Sequence, residues 1–154
     1  MIRIRSLVEK DIPDAVAIQA IPWPSKENAI LAENEMRGGL ITVPGIYGAN
    51  FVVAVTPEDR IIGIGAWTVA SFASNTYALY WAVVYPDYRG KGINTLMLDD
   101  RLQRIRTFNK APAYDVIVRT WDNPLYRGRG FVPGFKDAMQ HKEGKCLMLA
   151  HFEA

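Results

Sequence analysis

From Ile61 to Pro86 the chain carries no charged side chain, and this run restricts the possible folds more than any other feature. A stretch of that length is long enough to cross a bilayer, and otherwise it must be buried in a protein core. Its middle, "TVASFASNT", decides between the two: small and polar residues with Asn75 at a turn suit a loop joining two buried strands. Just upstream, "FVVAV" and "IIGIGAWTVA" flank "TPEDR", whose Pro57 and Asp59 are turn formers. The spacing therefore predicts an antiparallel hairpin that continues into a third strand, "TYALYWAVVYP".

Around these strands the periodicity changes. "IRIRS" alternates as an edge strand would, and Asp11 is placed to cap a helix with Pro13 in its first turn and Ile12, Ala15 and Val16 on one face. "IPWPS" breaks that helix. Ser25 can cap a second one through "KENAILAENEMR", which Gly38 and Gly39 are expected to end. Later, Leu98, Leu102, Ile105 and Phe108 share a helical face, with Arg101 and Arg104 assigned to the opposite side. "YDVIVRTW" and "KCLMLAHF" read as further strands. The order is β-α-α-β-β-β-α-β-(short helix or loop)-β, an α/β arrangement of mixed strand direction. No long linker or composition break appears, so residues 1–154 are expected to form one domain.

Eighteen basic and sixteen acidic residues leave a net charge of +2, too small a field for binding nucleic acid by bulk electrostatics. Any anion site must be local. The lone cysteine, Cys146, excludes an internal disulfide and a thiolate metal cluster, reads as a buried structural thiol and fits a reducing compartment. "MIRIRSLVEKDIPDA" lacks the apolar core of a signal peptide, so a cytoplasmic location without membrane attachment is the expectation.

"DYRGKGIN", residues 87–94, stands between a strand and the amphipathic helix. A tight glycine loop feeding a helix gathers backbone N–H groups at one point, where the helix dipole adds positive charge. Gly90 and Gly92 let a ligand approach the backbone, and Arg89 and Lys91 can neutralise a diphosphate. From spacing alone, a helix-starting turn with solvated charges explains the letters equally well. Neither standard nucleotide loop fits: Lys91 is followed by glycine, and Thr95 stands where a dinucleotide fingerprint begun at Gly90 would need its last glycine.

"AVVYPDYRGKGIN" ahead of an amphipathic helix resembles motif A of the GNAT acetyltransferase superfamily, whose core is Arg or Gln, two residues, Gly, one residue, then Gly or Ala. Arg89 and Gly92 fall in register, with Val84 and Pro86 where the preceding strand normally carries them; Asn94 departs from the usual Gly or Ala. The element order of nearly the whole chain is also similar to that fold. The resemblance implies a GNAT-like mixed, mostly antiparallel sheet with helices on both faces and splayed fourth and fifth strands. It further implies acetyl-CoA as cosubstrate, with its pyrophosphate on Arg89, Gly90, Lys91, Gly92, Ile93, Asn94 and Thr95. The pantetheine arm would run beside Ala82, Val83 and Val84, facing a wall at Val118 to Thr120, with Asn123 also near the cofactor.

The same resemblance implies an N-acetyltransferase in which a primary amine of a small molecule or protein attacks the thioester directly. The Val84 N–H would stabilise the oxyanion. Tyr126, four residues before Gly130 and Phe131 in "YRGRGF", would protonate the departing thiolate. The segment before Tyr126 is expected to be one turn or a loop, because Pro124 and Gly128 disfavour a longer helix. No carboxylate lies on "TYALYWAVVY", leaving Tyr80 with a water, Glu33 or Glu35 as candidates to manage the proton of the amine; His141 and His151 receive no role. Trp23 is a wall or a packing anchor.

A different class of function keeps the fold without turnover, as a CoA-binding or protein-interaction module. The missing strand carboxylate, Asn94 and the short Tyr126 segment favour it. RNA binding through one "RGRG" lacks the repeated basic and aromatic pattern. No metal site is expected, and the protein is expected to act as a monomer or homodimer.

Overall fold

The computed structural model describes residues 1–41, 48–134 and 145–154. Seven strands form one sheet: β1 (Arg3–Ser6), β2 (Asn50–Val55), β3 (Ile61–Val69), β4 (Thr76–Val84), β5 (Ala113–Thr120), β6 (Val132–Gly134) and β7 (Cys146–Glu153). Their spatial order is β1-β2-β3-β4-β5-β7-β6, and β4–β5 is the parallel pair in an otherwise antiparallel sheet. The uncharged run thus becomes β3 and β4, two neighbouring strands, and no described helix is long and apolar enough to cross a membrane.

Helices α1 (Ile12–Gln19) and α2 (Lys26–Ile41) cover one face, where Ile12, Ala15, Ile18, Ala32 and Met36 pack on Phe51, Val53, Val55, Ile64 and Ala66. Helix α3 (Ile93–Phe108) covers the other through Leu98 and Ile105 against Trp67, Leu79 and Val116, and through Ile93 and Met97 against Ala54 and Ile62. Alternation along β2 supplies both faces, with Val53 and Val55 facing one layer and Ala54 the other. Two glycines of β3 set how closely α3 approaches: a Cβ on Gly63 would lie 3.2 Å from the Met97 sulfur, and one on Gly65 3.1 Å from the Arg101 guanidinium.

Three expectations need correction. Gly38 and Gly39 do not end α2, which continues to Ile41; tertiary packing around Met36 outweighs the helix cost of two glycines. Asp11 occupies the position before α1 without capping it, because its carboxylate accepts the Val8 amide at 2.9 Å and both Arg5 guanidinium Nη groups at 2.6 and 3.0 Å. Burial opposes the ionisation of Asp11, yet these donors bring its pKa below the ordinary value. Arg101 does not face away from the core with Arg104: it is completely buried. Ser25 does cap α2, accepting the Asn28 amide at 3.1 Å. Cys146 is buried, and the turn carrying His141 lies outside the described residues.

Candidate active site

Strands β4 and β5 pair only from Thr76–Asp115 to Leu79–Val118. Beyond that point β4 stays attached to β3 but parts from β5. A bulge accompanies the parting: between Ile64–Val83 and Ala66–Tyr80, β4 has one residue more than β3, and Trp81 adopts a left-handed φ of 52°. Its indole, 6.0 Å from Phe51 and 6.2 Å from Tyr80, is held by ring packing that offsets the backbone strain. The opening is a groove of about 1190 Å³ reached by residues from both faces of the sheet, among them Trp23, Tyr80, Arg101 and Tyr126.

Ala82, Val83, Val84, Arg89, Gly90, Gly92, Ile93, Asn94, Thr95, Asn123 and Tyr126 all line this groove, as do Val118, Arg119 and Thr120 opposite them. The Tyr85 amide donates to Ile62 at 2.8 Å, so strand alternation turns the N–H and C=O of Val84 away from β3, toward the open side. The Val84 carbonyl there accepts Arg89 Nε at 3.0 Å. Its N–H faces the space that β5 has left.

At the head of α3, the Arg89 amide is tied to Pro86 at 3.2 Å, and Leu96 opens the helical ladder by donating to Gly92 at 3.0 Å. Between them, the amides from Gly90 to Thr95 donate to no acceptor among the described residues. Gly90 and Gly92 take left-handed φ values of 74° and 77°, and a Cβ on either would meet nothing within 4 Å, so the surface over the loop is open. Asn94 Oδ1 is buried without a partner in the same place. Lys91 alone of the expected cofactor residues is not on the groove wall; its ammonium sits 5.1 Å from the Tyr88 ring centroid. Ile93 is core, so only its backbone is available.

Across the groove, Asn123 caps the single turn α4 (Pro124–Arg127), its Oδ1 accepting the Leu125 and Tyr126 amides at 3.0 and 3.4 Å and its Nδ2 donating to the Trp121 carbonyl at 2.7 Å. With its amide group engaged in this way, Asn123 places Tyr126. The Tyr126 ring meets Phe131 edge-on at 5.5 Å, and Arg129 anchors the following turn to α3 through Asp99 at 2.6 and 2.9 Å.

At the α1–α2 end, Gln19, Trp23, Asn28, Leu31 and Tyr80 line the groove. Glu33 is occupied by Arg37 at 2.9 Å, whereas Glu35 keeps Oε2 buried without a donor, and burial raises its pKa. Burial first, and then the nearby Glu35 charge, push the Tyr80 phenol well above its ordinary value. His151 lies outside this region, exposed and 2.8 Å from Asp115. Among the described residues no group of three His, Cys, Asp or Glu side chains converges to hold a metal.

Open amides at the head of α3 thus stand beside two diverging parallel strands at one end of the groove. The sequence profile of the Acetyltransferase (GNAT) family matches residues 19–131, and the chain belongs to that family of acetyl-CoA-dependent transferases. Solved structures agree in fold. A GNAT-family protein from Desulfovibrio desulfuricans superposes with a TM-score of 0.75 at 18% identity, covering 99% of each chain. The GNAT family N-acetyltransferase YhbS from Escherichia coli, solved with CoA, gives 0.71 at 20% identity over 97% of this chain and 81% of that one. The ribosomal-protein-S18-alanine N-acetyltransferase from Escherichia coli gives 0.69 at 17% identity over 100% and 96%. Comparison with curated protein sequences returns no match.

Proposed function

We propose that the groove binds acetyl-CoA with its diphosphate on the amides of Gly90 to Thr95, and transfers the acetyl group to a primary amine entering from the α1–α2 end. The observation that carries this reading is the set of unbonded amides at the head of α3, continuous with the splay between β4 and β5. Arg89 adds charge beside them, while its Nε holds the loop to β4.

The chemistry follows from the arrangement. The amine nitrogen attacks the thioester carbon, and the Val84 N–H donates to the oxygen that becomes negative. Collapse breaks the C–S bond, with the electron pair going to sulfur, and Tyr126 supplies the proton. The surplus proton of the amine passes by way of Tyr80 to Glu35, whose carboxylate has an oxygen without a donor. Trp23, Trp81 and Tyr80 give the acceptor an aromatic approach.

A CoA-binding module without turnover has one observation in its favour: β4 brings no carboxylate into the groove. A panel of primary amines, with free CoA as the readout, separates the two. Thiol release with at least one amine, lowered about a hundredfold or more in Tyr126→Phe, is the expected result. CoA binding without release from any amine would favour the module, and unchanged turnover in Tyr126→Phe would remove the assigned acid.

A further inference from the structure

Among the described residues, Arg101 is the largest fully buried side chain, and no carboxylate among them is bonded to it. Its Nε donates to the Met97 carbonyl and its Nη1 to the Ala66 carbonyl, both at 3.2 Å, while Nη2 has no partner. Gly65 clears the space for this group: a Cβ there would lie 3.1 Å from Cζ and Nε. A buried charge held by two neutral carbonyls is costly, and burial accordingly lowers the pKa of the guanidinium. Leucine or methionine at this point of α3 would serve packing alone. Arg101 and Tyr126 both line the groove, and Tyr126 is the side chain that most favours the Arg101 charge.

We propose that Arg101 is a positioning residue for Tyr126, presenting Nη2 to the phenol oxygen so that the hydroxyl proton points into the groove. A guanidinium has donors and no acceptor, so a phenol beside it can only accept from it, and the single hydroxyl hydrogen must turn elsewhere. The open direction is the groove. Tyr126 is thereby set as a donor toward the departing sulfur, and the oxygen left negative when its proton moves to sulfur faces a cation until solvent returns a proton. Nη2 and the phenol do not yet close a hydrogen bond, and contacts of this kind tighten when the ligand completes the site. The inference rests on the proposed transfer reaction and on Tyr126 as its acid.

A double-mutant cycle in kcat tests it, using Arg101→Met, Tyr126→Phe and the double variant, followed by CoA release. We expect Arg101→Met to lower kcat about tenfold or more with the KM for acetyl-CoA within about twofold, and to add nothing on the Tyr126→Phe background. Because methionine removes an unpaired buried charge, the unfolding midpoint should not fall, which a merely structural arginine does not predict. Wild-type kcat in Arg101→Met, or the same fold-loss repeated on the Tyr126→Phe background, overturns the proposal. If Arg101→Met does not fold, the cycle is run with Arg101→Leu, which likewise removes every donor and the charge, and the same two results decide. A wild-type protein that binds acetyl-CoA and transfers nothing overturns the reaction itself, whereas turnover with additive variants overturns only the role of Arg101.

Discussion

Glu35 shows how burial prepares a single side chain. With one oxygen out of water and no donor to meet it, its neutral form is favoured, so its pKa rises. A base with a raised pKa is lost earlier as pH falls. The acidic limb of the turnover profile should therefore lie above the ordinary glutamate range, and Glu35→Gln should lower kcat and abolish that limb; an unchanged profile would exclude Glu35 as the proton acceptor. The letters pointed to Glu33 or Glu35 alike, and only the Arg37 pair and the burial of Oε2 separate them. Arg101 was illegible for a different reason. Three residues after Leu98 and four before Ile105, it lies within the apolar stripe of the helical wheel and was set beside Arg104 on its charge alone; Gly65 on β3 leaves the room that its guanidinium fills. Gly65 in "IIGIGAW" is the signal that could have revealed it.

Among the elements, the loop into α3 was readable because glycine is the residue that adopts a left-handed turn at little cost, and both Gly90 and Gly92 do so. In Gly92→Ala, the new Cβ meets nothing within 4 Å, so its direct effect is conformational, about 1–2 kcal/mol of stability. Coenzyme A affinity should fall about tenfold or more besides, because the added methyl stands where the diphosphate would approach. Unaltered affinity, measured by calorimetry, would move the diphosphate off this loop. The bulge of β4 was not readable: nothing in "LYWAVV" marks Trp81 for a left-handed φ, which depends on ring contacts with Phe51 and Tyr80. The end of α2 was misread because glycine propensity is a weak local term beside packing. The turn at Pro124–Arg127 was legible, since Asn-Pro supplies both a cap and a first helical residue.

For the whole molecule, the order of strands and helices followed from periodicity and turn residues except for β6, whose three residues "VPG" carry no strand pattern and which forms by pairing with β7; the groove exists only because two strands far apart in sequence pair for four residues and then separate. A ligand filling that groove would touch β4, α3 and the β5–α4 connection at once, so binding should stabilise the folded chain as a unit. At about a hundred times Kd, acetyl-CoA should add roughly 2.7 kcal/mol and raise the unfolding midpoint by about 5–11 °C. An unmoved midpoint at saturating ligand would speak against a site of this kind. The most direct measurement follows the backbone amide resonances from Gly90 to Thr95 during titration with CoA and, separately, with pantetheine, which lacks the diphosphate. These amides should shift strongly and gain exchange protection with CoA, and respond little to pantetheine. If CoA binds while those six resonances stay where they are, the diphosphate lies elsewhere and the account of this groove is wrong.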